Sequence, residues 1–209
     1  MIAVIDYGMG NLRSIAKALE YAGGEVAVTR DPEVMRKADR FVLPGVGAFG
    51  NGMDHLRSFG LIPALEEEIL HKKKPFWGIC LGMQLLAEKS EEFGEHRGLG
   101  WIPAEVKKFS FPGGANLKIP HVGWNTVTFV QEHPVTKGMK NVEYYFVHSY
   151  YVVPKEKSLV AGTCTYGVDF AACIARDNLF ATQFHPEKSQ EAGLKMLRNF
   201  CDWRPQITS

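Results

Sequence analysis

The chain opens with a continuous apolar run, Ile2-Ala3-Val4-Ile5, the pattern of a parallel strand covered on both faces. A glycine-bearing turn, DYGMGN, follows. Leu12, Ile15, Ala16 and Leu19 then recur at helical spacing until Gly23-Gly24 stop the run. Residues 25–29 read as a second strand. Asp31-Pro32-Glu33 opens a short helix, with Asp31 as its cap and Pro32 in the first turn. Phe41-Val42-Leu43 is a third strand, ended by Pro44. Leu65 and Ile69 mark a further helix, and residues 75–79 a fourth strand. Strand and helix alternate, which predicts a parallel α/β sheet.

After Gly98 the pattern changes. The stretches 101–111, 118–130, 142–153 and 158–184 are rich in β-branched and aromatic residues, and turn signals at Pro112-Gly113-Gly114 and Asp177-Asn178 separate them. They are expected to be antiparallel strands that extend the sheet. A last helix is expected over 190–203, with Ala192, Met196, Leu197 and Phe200 on one face. With no repeat, linker or low-complexity segment, residues 1–209 read as one domain. The fold class is α/β, an open and mostly parallel sheet flanked by helices, with antiparallel strands added in the second half.

Composition narrows the function classes. The 209 residues are 45% apolar and 22% charged, and the net charge is +1, so no global field favours nucleic acid or a membrane surface. The one basic run, Lys72-Lys73-Lys74, follows Glu66-Glu67-Glu68 and reads as the solvated end of a helix. No apolar run approaches the roughly 18 residues of a membrane helix, and the amino terminus lacks signal-peptide features. Cysteines 80, 164, 173 and 201 form no CxxC pair. That argues against zinc and against a disulfide framework, and it points to the cytoplasm.

The chemistry concentrates in three places. Gly78-Ile79-Cys80-Leu81-Gly82 has the form glycine-x-nucleophile-x-glycine at a strand-to-helix junction, where a sharp turn exposes the nucleophile. The unpaired N–H groups of a helix start favour a thiolate, and the Leu81 N–H would face an oxyanion formed by its attack. A buried small residue between packing glycines is the plainer alternative. A thiolate needs a base, and His185 in Phe184-His185-Pro186-Glu187 is the candidate. Pro186 favours an extended His185, and residues i and i+2 of an extended segment face the same way, so Glu187 would orient the imidazole. His148 reads as a core or pocket residue. His121, His133, His55, His71 and His96 have no spaced partners, and nothing suggests a metal site. Gly45-Val46-Gly47-Ala48-Phe49-Gly50 matches the dinucleotide fingerprint. It follows the third strand, however, glycines 50, 52 and 60 and Pro63 are expected to interrupt any long helix, and the next strand ends at Cys80 with no acid. It reads better as a loop giving a second backbone donor to the oxyanion.

Six segments in order across the chain together resemble the class I (triad) glutamine amidotransferases, with a flavodoxin-like fold. They are residues 6–14, Pro44-Gly45-Val46-Gly47, residues 78–84, Pro120-His121-Val122-Gly123-Trp124-Asn125, residues 145–150 and residues 183–189. Among these families the likeness is to the glutaminase subunits of imidazole glycerol phosphate synthases. The resemblance implies that Cys80 attacks the side-chain amide of glutamine, that His185 shuttles the proton and that Glu187 orients it. It implies Leu81 and the Gly45–Val46 region as oxyanion donors, and Gln84, Glu92, Ser149 and Tyr150 as glutamine contacts. By itself Glu92 reads as a solvated helix end. No cofactor is implied. The implied partner is a (β/α)8-barrel cyclase of histidine synthesis that receives the ammonia, with Asn11, Trp124, Tyr145 and Lys188 near the docking face. The glycines of the 45–47 loop permit a flipped peptide until the partner binds, so the isolated chain is expected to be a poor glutaminase. A subunit of another synthase, a cysteine hydrolase without ammonia transfer and a silent docking subunit are the competing readings.

Overall fold

A computed structural model describes residues 1–111 and 117–205; the Pro112-Gly113-Gly114 turn lies outside the described residues. The first half alternates as the pattern predicts. In order come β1 (Ile2–Ile5), α1 (Leu12–Tyr21), β2 (Val26–Thr29), α2 (Pro32–Lys37), β3 (Arg40–Gly45), α3 (Phe49–Ser58), α4 (Leu61–Leu65), β4 (Phe76–Cys80) and the one-turn α5 (Leu81–Gln84). Residues Glu66–His71, after α4, wind as a π-helix. Its Glu68 is buried and binds Lys72 at 2.7 Å and Lys74 at 2.5 Å, so part of the basic run is a neutralising clamp. The second half contributes β5 (Lys89–Ser90), β6 (His96–Arg97), β7 (Ala104–Lys108), β8 (His121–Phe129), β9 (Asn141–His148), β10 (Tyr150–Pro154), β11 (Val160–Tyr166), β12 (Val168–Arg176), β13 (Leu179–Thr182) and α6 (Gln190–Asp202).

Nine strands form one sheet in the order β2-β1-β3-β4-β13-β12-β11-β8-β9. The first five are parallel and the rest antiparallel. Alternate residues of the parallel strands feed two cores: Ala3, Ile5, Phe41 and Leu43 on one face, Ile2, Val4 and Val42 on the other.

Several expectations are corrected. β13 is not antiparallel to its neighbour on the parallel side; it pairs with β4 as a fifth parallel strand. The 101–111 stretch does not extend the main sheet. β7 joins β10, β5 and β6 in a second sheet of order β10-β7-β5-β6. The 142–153 run breaks at Ser149, where the chain passes from one sheet to the other. Pro44 does not end β3. The Phe41 N–H donates to Pro75 on the β4 side, so alternation turns Pro44 toward β1, whose pairing stops at Val42. Its missing donor therefore costs no ladder bond. Glycines 50 and 52 do not interrupt α3. They let it press on the His96 ring and on Leu81 and Leu85, and packing outweighs their low helix propensity.

Local chemistry sets the ends of the helices. The Asn11 side chain accepts from the Ser14 N–H at the start of α1, and Asp31 accepts from the Glu33 N–H with Pro32 in the first turn of α2. α6 is locked by Arg40, whose Nε and Nη2 donate to the carbonyls of Phe200 (3.1 Å) and Trp203 (3.0 Å). This buried cation thus sits where the helix end is electronegative. At the other end of α6, Gly193 lies so close to the Pro186 carbonyl that any side chain would overlap it. The helix therefore backs the turn that carries His185. Arg40→Met should leave both carbonyls without a charged donor and lower the unfolding free energy by about 2–3 kcal/mol, read by urea titration. A change within about 0.5 kcal/mol would assign the clamp no role.

Candidate active site

Cys80 ends β4 with φ 55° and ψ −107°, a conformation that L-residues rarely adopt. Close packing on the next turn enforces it. Gly82 abuts the Leu43 carbonyl on β3, and any side chain there would overlap it. The expected strand-to-helix elbow is present, but its helix is a single turn, so its contribution is a set of free first-turn N–H groups more than a macrodipole. Gly45 lies directly beside Cys80 in the β3–β4 register, which sets the Gly45–Val46 segment next to the thiol. On the other side of β4, β13 leads through Gln183 and Phe184 to His185. Three adjacent parallel strands thus deliver loop, thiol and imidazole to their carboxyl ends, where open α/β sheets bind ligands.

His185 Nδ1 lies 2.8 Å from Glu187 Oε1, and both side chains are buried. His185 is extended at φ −100°, ψ 99°, as a residue before proline should be, but Pro186–Lys188 is a 3₁₀ turn. Extended alternation therefore does not create this pair; a tight turn does. Ser189, which the sequence reading overlooked, clamps the histidine. Its Oγ donates to the His185 carbonyl (2.6 Å) and accepts from the Tyr145 N–H (3.1 Å), while His185 N–H donates to the Tyr145 carbonyl (3.0 Å). Because Glu187 only accepts, Nδ1 carries the proton in the neutral ring and Nε2 is left for Cys80. No aligned hydrogen bond to Nε2 is formed; the thiol approaches without reaching bonding geometry. Burial opposes charging His185, but the neighbouring Cys80 sulfur and the hydrogen bond and charge of Glu187 prevail and push it up to about 10.

A cleft of about 420 Å³ opens above Cys80, and Val46, Leu81, Gln84, Glu92, Ser149 and Tyr150 all line it. Glu92 is not a solvated helix end: its Oε2 accepts from the Phe49 N–H at 2.6 Å and tethers the glycine loop where α3 begins. Gln84 Nε2 donates to the Tyr150 carbonyl (3.0 Å) and to Gln183 Oε1 (3.1 Å), and Gln183 Nε2 lies 3.7 Å from Cys80 Sγ. A larger recess of about 1000 Å³ beside residues 129–139 contains no cysteine, serine or other nucleophile paired with a base. Chemistry, not size, marks the site.

Lys188 also lines the cleft, and its Nζ stands 5.7 Å over the Tyr145 ring, which meets Trp124 at 6.2 Å across the β8–β9 ladder. These three residues form one surface beside the cleft mouth. Asn11 does not join them through any hydrogen bond or ring contact among the described residues; its side chain is engaged as the α1 cap.

His121 does have a partner, contrary to the sequence reading: its Nδ1 lies 3.1 Å from His148 Nε2, and His148 Nδ1 lies 2.8 Å from the Tyr150 carbonyl. The carbonyl can only accept, so His148 carries its proton on Nδ1 and accepts one from His121. Among the described residues no group of three or more His, Cys, Asp or Glu could hold a metal ion, and no helix is long and apolar enough to cross a membrane.

Burial pushes His121 and His133 down to about 4 and His148 to about 3. Unfolded, each titrates near 6.5, so below that pH the unfolded chain binds more protons. Stability should be intact above about pH 6.5 and fall as the pH drops toward 4, by at most about 1.4 kcal/mol per pH unit per histidine. His185 has the opposite sign: its contribution is full below about 6.5 and is lost as pH rises through about 10. Thermal unfolding midpoints measured from pH 8 to 4 check the acid limb; a flat profile would contradict neutral burial of these rings.

Comparison with known proteins shows the family. The family described as glutamine amidotransferase class-I matches residues 3–203. An imidazole glycerol phosphate synthase subunit HisH from Syntrophotalea carbinolica is 51% identical over 208 residues, covering 97% of this chain and 100% of that protein. The subunit of the same name from Aquifex aeolicus is 53% identical over 199 residues, with 94% of each chain covered. Among solved structures, PurLQS from Thermotoga maritima superposes with a TM-score of 0.76 at 19% identity, covering 96% of this chain and 97% of that one. At that identity the likeness speaks for the fold alone. The chain belongs to the class I glutamine amidotransferases and, within them, to the HisH subunits of imidazole glycerol phosphate synthase.

Proposed function

We propose that glutamine hydrolysis, the activity of this family, runs in this chain at Cys80, with His185 as the proton shuttle and Glu187 as its orienting carboxylate. The observation that carries the reading is the His185–Glu187 pair, buried at 2.8 Å beside an elbow cysteine at the floor of the cleft. His185 Nε2 takes the thiol proton, and Sγ attacks the side-chain carbonyl carbon of glutamine. The oxyanion is held by the Leu81 N–H and an N–H of the Gly45–Val46 segment. Collapse breaks the C–N bond, and His185 returns the proton to the departing ammonia. Water, deprotonated by His185, then attacks the thioester; glutamate leaves and the thiol is restored. Gln84, Glu92, Ser149 and Tyr150 hold the substrate's polar groups.

The ammonia passes to a (β/α)8-barrel cyclase subunit, with which the chain forms a heterodimer in the cytoplasm. Trp124, Tyr145 and Lys188 support that docking face, being contiguous with the cleft mouth, and Asn11 contributes by ordering the turn before α1. All four cysteines are free, which suits a reducing compartment.

An electrophilic glutamine analogue should label Cys80 in the wild type and not in Cys80→Ala; absence of labelling would favour a silent docking subunit. Glu187→Gln should lower the glutaminase turnover number on the order of 100-fold. It should also move the alkaline limb of the pH–rate profile downward, because the imidazolium loses a negative partner; a profile limb that stays in place would remove Glu187 from its role. The isolated chain should hydrolyse glutamine at least about tenfold more slowly than its complex with cyclase and nucleotide ligand. Equal turnover in both would sink the gating role of the 45–47 loop.

A further inference from the structure

Gln183 is completely buried, immediately after β13, and its main chain is fixed by an N–H donated to the Ala172 carbonyl at 2.9 Å. Buried amides are retained where their polar atoms are matched. Its own partners are Gln84 Nε2, 3.1 Å from Oε1, and Cys80 Sγ, 3.7 Å from Nε2.

The direction of this chain of hydrogen bonds follows from its far end. The Tyr150 carbonyl can only accept, so the Gln84 atom 3.0 Å from it is the amide nitrogen. That same nitrogen faces Gln183, which must therefore present its oxygen there. The other end of the Gln183 amide, an N–H donor, is consequently aimed at sulfur. Reversing Gln84 would set its oxygen against two acceptors, the Tyr150 carbonyl and Gln183 Oε1; reversing Gln183 would set two donors against each other and a carbonyl oxygen against the sulfur. The His148 Nδ1–H, also directed at the Tyr150 carbonyl, reinforces the same polarity.

We propose that Gln183 acts on the reacting atom itself, donating a hydrogen bond to Cys80 Sγ that holds the sulfur as an acceptor and so favours the thiolate. The inference rests on the reading of Cys80 as nucleophile. Sulfur that accepts from Gln183 turns its own proton toward His185 Nε2, so the amide and the imidazole approach the thiol with complementary roles. The same bond is strongest whenever negative charge is on sulfur, before attack and again as the thioester breaks. Gln183 thereby assists both half-reactions, while the oxyanion donors serve only the tetrahedral states.

The test is the pH dependence of Cys80 alkylation by iodoacetamide in the full chain, followed at the Cys80 peptide by mass spectrometry. Gln183→Glu keeps an oxygen for Gln84 but replaces the donor to sulfur; Gln183→Met removes both partners at similar volume. Both should alkylate about tenfold more slowly at pH 7, with profiles displaced to higher pH by about one pH unit and Gln183→Glu the more affected. A purely structural role would lower the melting temperature without moving that profile. Folded variants with wild-type profiles would overturn the inference while leaving Cys80 as nucleophile, provided a glutamine analogue still labels it. A wild type that no glutamine analogue labels would overturn both. If neither variant folds, the side-chain amide resonance of Gln183 in the ¹⁵N-labelled wild type decides. It should titrate with the midpoint of Cys80 alkylation, and an invariant resonance would overturn the proposal.

Discussion

At Cys80 the backbone leaves a fully covered strand in a conformation with φ of 55°, and the surrounding packing gives it no alternative. Gly82 is pressed on the β3 carbonyl of Leu43, so the next turn cannot back away. The β3–β4 register simultaneously fixes Gly45 beside the thiol. Strain of this kind persists only where neighbours over-determine it. Here the neighbours are the ends of the parallel strands, and the cleft, its loop and its imidazole are all placed relative to that one kink.

Around the kink the polar groups are arranged with one sense. Glu187 only accepts, which assigns the His185 Nδ1 proton; the Tyr150 carbonyl only accepts, which assigns Gln84, Gln183 and His148. Two fixed acceptors therefore orient four side chains, and both lines end beside the same sulfur, one of them in a hydrogen bond from Gln183. A site built this way needs little rearrangement to create charge on Cys80, because the dipoles already point toward it. α6 and Ser189 contribute from behind by holding the His185 turn in place.

The first four parallel strands and the convergence of Cys80, His185 and Glu187 were legible in the sequence. Each leaves a local mark: apolar runs such as 2–5, the paired glycines at 78 and 82, the proline after His185. What was not legible depends on partners distant in the chain. β7 and β10 alternate like any half-buried strands, and nothing in their residues says which of two sheets they join. α3 tolerates Gly50 and Gly52 because His96, Leu81 and Leu85 reward close approach. Glu92 reads as a surface acid until the Phe49 N–H is set against it. Ser189 and Gln183 are ordinary polar residues until Tyr145 and Cys80 are placed beside them. Asn11 shows the converse: one cap hydrogen bond accounts for it within the fold, and the surface of Trp124, Tyr145 and Lys188 stands without it.

The position of β13 has a consequence for how the protein is made. Until that strand is inserted, β4 has only β3 beside it, and its other edge of main-chain donors and acceptors is open. The strand that closes it carries Gln183 in its wake, 103 positions after Cys80. During synthesis the Cys80 turn therefore exists for about half of the chain's length before Gln183, His185 and Glu187 are made. Contacts of such separation form slowly, so the Cys80 side chain acquires its polar surroundings only when the sheet is sealed. The step that protects the sheet from mispairing is the step that completes the surroundings of Cys80.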